Sequence, residues 1–116
     1  MDPQLQRNSS MSNAQERRQA QRRVVNLKVN HRDPRTKKLV FDFAKDLSEG
    51  GLFIFTKRQR VVGDSIEVEF EAGDGRRHGV VRAVCRVARA TPDGVAAEFI
   101  NMDEDSAQLL NYFLSR

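Results

Sequence analysis

Apolar and polar residues alternate along most of the chain, and turn-forming residues interrupt the alternation at short intervals. A period of two places every second side chain on the same face of a β-strand. The sequence Ala72-Gly73-Asp74-Gly75 is a strong hairpin signal between two such segments. Six strands joined by turns predict a mainly β fold, an antiparallel barrel or sandwich. The predicted strands cover residues 25–29, 39–43, 52–56, 66–70, 77–90 and 95–100.

The C-terminal end of the chain has a different period. Asp103 can cap a helix in which Leu109, Leu110, Phe113 and Leu114 recur at helical spacing. We therefore expect one C-terminal α-helix that plugs or flanks an open end of the barrel.

The N-terminal region lacks both patterns. Residues 1–15 are rich in Gln, Ser and Asn and are expected to be a disordered tail. Met11 is a second candidate start, which would make residues 1–10 an artificial addition, and both starts stay open. Residues 16–23, ERRQAQRR, have no face to bury and are interpreted as a flexible basic arm. Residues 16–116 then form the single domain.

Charge is distributed unevenly between the two ends of the chain. Residues 1–38 hold ten Lys/Arg and three Asp/Glu, a net charge of +7, whereas residues 39–116 hold ten and thirteen, a net charge of −3. A basic N-terminal third indicates an anionic ligand without saying which one.

Several classes of function find little support in the composition. No apolar stretch approaches the roughly 20 residues of a membrane-spanning helix, and no secretory signal is present, so a cytoplasmic location without membrane insertion is expected. Cys85, the single cysteine, falls in an apolar alternation and is interpreted as a small core residue rather than a redox sensor. His31 and His78 are too far apart to suggest a metal site. No catalytic motif is present, so we expect neither an enzyme nor a cofactor.

Four arginines are clustered in the predicted arm: Arg17, Arg18, Arg22 and Arg23. A guanidinium can bind a phosphate or the O6/N7 edge of guanine in bidentate fashion, and its flat face can stack on a base. Several arginines on one arm could therefore clamp a ligand that contains guanines and phosphates. Taken alone, the cluster is more typical of a solvated basic tail.

A second cluster occupies the turn Asp46-Leu47-Ser48-Glu49-Gly50-Gly51. The carboxylate of Asp46 can accept hydrogen bonds from guanine N1–H and N2–H₂, and the Ser48 hydroxyl can donate or accept beside it. Gly50 and Gly51 allow close approach of a ligand to the backbone. The alternative is an ordinary turn between two strands.

Together the two clusters resemble the PilZ domain family. An Arg-x-x-x-Arg arm before the first strand, here Arg18 to Arg22, and Asp/Asn-x-Ser-x-x-Gly between the second and third strands, here Asp46, Ser48 and Gly51, are that family's ligand-binding signatures. The resemblance extends over residues 16–114, through Val62-Gly63-Asp64, the late hairpin ending at residues 94–99, and the terminal helix. Ala97 departs from the residue that is usual in the late strand of this family. The difference affects side-chain packing and leaves the two ligand-binding motifs unchanged.

The resemblance implies a six-stranded antiparallel PilZ-type β-barrel and a bacterial receptor for the second messenger cyclic di-GMP. It implies that Arg18 and Arg22 contact phosphates and guanine edges, and that Asp46 and Ser48 recognise a guanine. An arginine at the position of Arg17 is associated with binding an intercalated pair of ligand molecules. The remaining implied contacts are Arg23, Gly50 and Gly51. In this hypothesis the arm orders over the ligand, and an unidentified protein partner detects the change.

Two other functions compete with this one. A PilZ-fold adaptor would bind only proteins, although such members typically lack the arginines or the Asp-x-Ser turn. A nucleic-acid-binding barrel would use the basic arm, but such surfaces interleave aromatic side chains with cations. Because most phenylalanines fall in apolar alternation, the sequence predicts that they belong to the core, and we do not expect a nucleic-acid partner.

Overall fold

The computed structural model describes residues 27–115, which form a closed six-stranded antiparallel barrel followed by one helix. The strand order is β1-β2-β3-β6-β5-β4, and β1 pairs with both β2 and β4 to close the barrel. The predicted fold is confirmed, while Val25 lies outside the described residues. The elements are β1 (Leu27–Arg32), β2 (Leu39–Ser48), β3 (Gly51–Phe55), β4 (Ser65–Gly73), β5 (His78–Thr91), β6 (Gly94–Met102) and α1 (Glu104–Leu114).

The β4–β5 ladder supplies much of the core. Ile66, Val68 and Phe70 point inward from β4, and Val81 and Val87 point inward from β5. All five side chains are at least 97% buried. Burying a side chain of this size stabilises the fold by about 1.5–3 kcal/mol. In these two strands the alternation therefore separates an inner apolar face from an outer face that carries the charged residues.

Strand β2 has the opposite arrangement, and here the sequence prediction is wrong. Leu39, Phe41 and Phe43 were expected in the core, but they point outward and are 45%, 71% and 48% exposed. Pairing with β1 directs the other face of β2 inward, where Asp42 contacts a buried histidine and Ala44 is 1% exposed. Alternation identifies two faces of a strand, but the neighbouring strands decide which one faces the core.

A polar cluster lies inside the barrel between β1, β2 and the β3–β4 connection. His31 is fully buried, and its Nε2 lies 2.7 Å from Oδ2 of Asp42. Nη2 of Arg60 donates to Nδ1 of His31 at 2.9 Å. Because an arginine can only donate, Nδ1 must be an acceptor and Nε2 must carry the proton. Burial lowers the pKa of His31, and the nearby Arg60 lowers it further, against the opposing effect of Asp42. The imidazole is therefore held neutral.

Helix α1 begins where the sequence predicts. Oδ1 of Asp103 accepts a hydrogen bond from the Ser106 backbone N–H at 2.7 Å, which caps the helix. Leu109 and Leu110 are buried, and the helix packs against β5 and β4. The Tyr112 hydroxyl donates to Asp74 in the β4–β5 turn. The helix thus flanks the barrel on the side of the long hairpin.

Cys85 is 1% exposed on the inner face of β5. Burial raises the pKa of its thiol to about 12, so the thiol stays protonated at neutral pH. Cys85 therefore serves as a small core side chain, as the sequence predicts.

Candidate functional site

The turn between β2 and β3 begins with a β-bulge. Lys45 pairs with Phe53 and Ser48 pairs with Gly51, so two residues of β2 stand opposite one residue of β3. In a regular strand Asp46 would share the inward face of Ala44. The bulge changes this because Asp46 adopts a left-handed conformation with φ of 56°. Leu47 then becomes fully buried, and Asp46 lines the outer surface.

Ser48 shapes the turn that follows the bulge. Its Oγ accepts a hydrogen bond from the Gly50 backbone N–H at 3.2 Å and lies 3.5 Å from the Gly51 carbonyl oxygen. The Gly50 carbonyl accepts a hydrogen bond from the Phe99 N–H at 2.9 Å, which ties the turn to β6. The position of Ser48 is therefore fixed by local bonds rather than by a ligand.

The two glycines of the turn have different constraints. A Cβ atom at Gly51 would lie 2.1 Å from the Ala97 carbonyl oxygen, so no other residue fits while β3 and β6 stay paired. A Cβ atom at Gly50 would meet nothing closer than Ser48 Oγ at 3.8 Å. Gly51 is therefore required by the close approach of two strands, whereas Gly50 tolerates a small side chain.

A groove on the outer face of the barrel continues from this turn across β3, β6 and β5. Phe53 of β3 pairs with Ala96 of β6, and Ala96 pairs with Arg89 of β5, so the three residues form one row across the sheet. A second bulge, at Ala88, shifts the β5 register next to Arg89. Because the side chain of Ala96 is small, Ala96 forms the floor of the groove between Phe53 and Arg89.

The next row of the same sheet supplies a charged pair. Gly51 pairs with Glu98, and Glu98 pairs with Arg86. Nη2 of Arg86 donates to Oε1 of Glu98 at 2.7 Å. The groove holds about 410 Å³ and is lined by Asp46, Ser48, Gly50, Gly51, Leu52, Phe53, Ala88, Arg89, Ala96, Ala97 and Glu98.

Two cations flank the Phe53 ring in this groove. The guanidinium carbon of Arg89 lies 6.0 Å from the ring centroid, and Nζ of Lys45 lies 5.6 Å from it. A cation over an aromatic face is attracted by the ring quadrupole. The groove therefore combines a flat apolar surface with the positive charge of Arg89, and Lys45 adds a second charge beside it. Its Glu98 carboxylate is paired with Arg86, so the groove suits an anionic aromatic ligand.

A second groove, of about 380 Å³, lies across β1, β4 and β5 and is less suited to an anion. Its arginines are already paired: Nε of Arg32 lies 2.6 Å from Glu67, and Nε of Arg82 lies 2.6 Å from Glu69. A phosphate there would meet two carboxylates and would have to displace them. The groove at the β2–β3 turn is the better candidate.

Four of the eight candidate site residues from the sequence line one groove: Asp46, Ser48, Gly50 and Gly51. The other four, Arg17, Arg18, Arg22 and Arg23, lie outside the described residues. Sequence reasoning missed Phe53, Arg89 and the adjacent Lys45. Lys45 meets Phe53 across the β2–β3 hairpin, whereas Arg89 is distant along the chain and only the β3–β6–β5 ladder brings it to the ring.

Residues 27–115 contain neither a cluster suited to a metal ion nor a helix suited to span a membrane. No group of three or more His, Cys, Asp or Glu side chains in this part of the chain is placed to hold a metal ion. In the same range, no helix has the length and apolar character needed to cross a membrane.

The barrel, the bulged β2–β3 turn and the groove beside it define a small β-barrel binding domain. A family model described as PilZ domain matches residues 16–116. The chain therefore belongs to the PilZ domain family, whose members are cyclic di-GMP-binding and effector domains rather than catalytic ones.

A solved structure supports the fold assignment. The Inhibitor of motility (MotI/DgrA) of Bacillus subtilis superposes with a TM-score of 0.67 at 16% sequence identity. The match covers 80% of this chain and 47% of that one, so this chain spans about half the length of its structural neighbour. At such low identity the likeness shows the fold alone. No curated protein sequence matches the chain.

Proposed function

We propose that this chain is a bacterial, cytoplasmic receptor for cyclic di-GMP that signals through a protein partner. The observation that carries the proposal is the placement of the family's Asp-x-Ser-x-x-Gly signature. Asp46, Ser48 and Gly51 line one groove of a PilZ barrel together with Phe53 and Arg89. The ligand has two guanines and two phosphates, which match the flat surface and the positive charges of this groove.

Each residue of the proposed site has a role that follows from its chemistry. The Asp46 carboxylate accepts hydrogen bonds from guanine N1–H and N2–H₂, and the Ser48 hydroxyl contacts the same base. Gly51 keeps the turn close to β6, where a larger residue would not fit. Arg18 and Arg22, from the N-terminal arm, contact the phosphates and the outer edges of the guanines.

We extend the site by two residues that the family signatures do not include. Arg89 stacks its guanidinium plane on a guanine or binds a phosphate, because its charge lies at the groove edge beside Phe53. Lys45 supplies a second positive charge on the other side of the same ring. Arg23 adds an auxiliary contact, and Arg17 favours an intercalated pair of ligand molecules.

The proposed signal is the ordering of the N-terminal arm over the ligand. Fixing each backbone residue of the arm costs about 1–2 kcal/mol of conformational entropy. Charge-assisted contacts between Arg18, Arg22 and the two phosphates must exceed that cost. The partner then detects either the new position of the arm or the newly covered face of the barrel.

Calorimetric titration of the full chain with cyclic di-GMP tests the proposal directly. We expect micromolar or tighter binding that Arg22→Ala and Asp46→Gly abolish. Glycine is the preferred replacement because it keeps the positive φ of Asp46 while removing the carboxylate. Arg76→Ala is the matched control: it removes the same charge from the β4–β5 turn, about 40 Å along β5 from Arg89.

The stoichiometry of the titration decides between one ligand molecule and two per chain, and Arg17→Ala should reduce two to one. No heat and no ligand-induced melting shift in the unsubstituted protein would overturn the receptor function. An adaptor that binds only proteins would then be the better description.

Amide hydrogen exchange tests the ordering of the arm separately from binding. We expect residues 16–24 to exchange more slowly at saturating ligand, because the arm gains hydrogen bonds to the nucleotide. Equally fast exchange in the free and saturated protein would reject arm ordering while leaving the binding site intact.

A further inference from the structure

Four large apolar side chains form one exposed surface on the outside of the barrel. Leu39, Phe41 and Phe43 alternate along β2, and Phe55 of β3 pairs directly with Phe43. Their exposed fractions are 45%, 71%, 48% and 40%. We call these four residues the β2 patch. A contiguous exposed apolar surface with a polar rim is typical of an interaction site, whereas single exposed apolar residues are common and need no explanation.

The rim of the β2 patch is basic at its Phe43–Phe55 end, whereas Leu39 at the other end lines a groove with two carboxylates that arginines already pair. Lys28 of β1 stands opposite Phe43, and Nζ of Lys45 lies 5.3 Å from the Phe55 ring centroid. Neither lysine forms a salt bridge with any residue in the described range 27–115. Residues 27–60 hold nine Lys/Arg and four Asp/Glu, a net charge of +5. The patch therefore favours a negatively charged occupant.

Charge complementarity argues against two occupants that the molecule itself could supply. In a two-fold symmetric dimer the patch would face its own copy, and two basic rims would repel each other. The N-terminal residues 1–26 hold five Lys/Arg and two Asp/Glu, a net charge of +3, so they would also be repelled. The complementary occupant comes from another molecule.

The arrangement of the rings favours a protein over a single-stranded nucleic acid. Bases stack on open aromatic faces that alternate with cations. In the β2 patch the Lys45 ammonium lies over the Phe55 ring, and Leu39, Phe41 and Phe43 occupy successive outward positions of β2 with no cation between them. The remaining patch is continuous and apolar, which suits the burial of aliphatic or aromatic side chains.

We propose that the β2 patch binds an acidic segment of a partner protein. Apolar side chains of that segment cover the patch, and its carboxylates pair with Lys28 and Lys45. This inference rests on the proposed receptor function in one respect, because a receptor needs a protein partner. The exposure and charge that support the docking site do not depend on nucleotide binding. Lys45 and Phe53 adjoin both the patch and the nucleotide groove. A bound nucleotide would therefore lie beside the docked segment.

Two synthetic peptides of the same length and the same Leu and Phe positions provide the test. One carries Glu and Asp at its polar positions, and the other carries Lys. We expect the full chain to bind the acidic peptide at least about tenfold more tightly than the basic one. Equal affinity, tighter binding of the basic peptide, or no binding of the acidic peptide would each overturn the proposal.

Substitutions locate the binding surface. Phe41→Ser and Lys28→Glu should each weaken binding of the acidic peptide by about tenfold, while Phe41→Leu should keep most of it. Ile100→Ser, at an exposed apolar position of β6, and Arg76→Glu, in the β4–β5 turn, are the matched controls and should leave it unchanged. A Phe41→Ser protein that is folded and binds as tightly as the unsubstituted one would assign the peptide to another surface.

Competing occupants give distinct outcomes. If oligothymidylate binds more tightly than the acidic peptide and Phe41→Ser abolishes that binding, the occupant is a nucleic acid rather than a protein. The same result with phosphatidylglycerol–phosphatidylcholine vesicles would make the occupant a membrane. Radical footprinting should label the patch strongly in the free chain. Protection that rises with protein concentration would indicate a second copy, and protection at every concentration would indicate residues 1–26.

Nucleotide binding is measured on the same variants. We expect Asp46→Gly to lose cyclic di-GMP binding and keep the peptide, and Phe41→Ser to do the reverse. If the unsubstituted chain binds the acidic peptide but not cyclic di-GMP, the receptor function is rejected and the docking site is still supported.

Discussion

Strand β4 in residues 61–115 and strand β2 in residues 27–60 use the same alternating pattern in opposite ways. On β4 apolar side chains point inward and charged ones outward, as Ile66 and Glu69 do. In residues 27–60 strand β2 points phenylalanines outward and encloses a His31–Asp42 pair. The net charges are −5 and +5, from five and nine Lys/Arg against ten and four Asp/Glu. Residues 61–115 supply most of the buried apolar side chains. Residues 27–60, here called the binding half, hold the β2 patch and the Asp46 turn of the two proposed sites, and β5 and β6 complete the nucleotide groove.

The largest effect expected from this comparison concerns apolar side chains on opposite faces. Ile66→Ala should lower the free energy of unfolding by about 2–5 kcal/mol, because the residue is fully buried. Phe41→Ala should change it by no more than about 0.5 kcal/mol, because the ring is 71% exposed. Urea unfolding measures both. A large loss in Phe41→Ala would mean that the β2 patch is part of the core after all.

The two glycines of the β2–β3 turn sharpen the comparison within the binding half. Gly51→Ala places a Cβ atom 2.1 Å from the Ala97 carbonyl oxygen, and we expect a loss of about 1–3 kcal/mol together with weaker nucleotide binding. Gly50→Ala is the control and should change stability by less than about 1 kcal/mol. Thermal melting and calorimetry give the two readouts. Equal stability of both variants would show that β3 and β6 separate easily.

The buried histidine makes the binding half sensitive to acid. The pKa of His31 lies below its ordinary value of 6.5, chiefly because burial disfavours the charged ring. The unfolded chain therefore takes up a proton first as the pH falls below 6.5. From that pH downward the free energy of unfolding should fall by at most about 1.4 kcal/mol per pH unit from this group.

His31→Gln removes the titrating group and should flatten the acid slope, even if the variant is less stable at neutral pH. His78→Gln is the matched control for replacing an imidazole, because the His78 side chain is 56% exposed. Melting temperatures between pH 7 and pH 5 measure the effect. An unchanged slope in His31→Gln would mean that the cluster does not control acid stability.

The smallest expected effect concerns the charged outer face of β4 and β5. Glu69→Gln removes the pairing with Arg82, whose Nε lies 2.6 Å from Oε2, and should cost about 0.2–1 kcal/mol at low salt and less at high salt. Lys28→Gln in the binding half removes a charge that forms no salt bridge with another residue in the range 27–115, and we expect no loss of stability. A larger loss of stability in Lys28→Gln than in Glu69→Gln would mean that the charges of residues 27–60, rather than those of β4 and β5, stabilise the barrel.

The sequence predicts the strands well because most turns have residues suited to them, although Lys37 between β1 and β2 has a positive φ. Gly63 and Gly73 have positive φ, and Asp64 accepts a hydrogen bond from the Val61 N–H. The long hairpin of β4 and β5 and the Asp103 cap appear where the pattern places them. These features depend on local chemistry, which neighbouring residues in the chain encode.

Features that depend on pairing between distant strands are not predictable in this way. The orientation of Phe41 follows from the β1–β2 register, and the contact of Arg89 with Phe53 follows from the β3–β6–β5 ladder. Asp46 and Ser48 were found from their motif, but the bulge that points Asp46 outward was not. A signal for Arg89 did exist, since an arginine interrupts the apolar residues near the end of β5.

The bulge at Asp46 gives β2 one residue more than the strand opposite it, so a single position leaves the alternation without disturbing its neighbours. Regular pairing resumes at Ser48 and Gly51. Deleting Asp46 would leave a regular strand with Leu47 inside and Ser48 outside but without the outward carboxylate, whereas asparagine or glycine would keep the bulge. Evolution can therefore change the chemistry of this outward position without repacking the core.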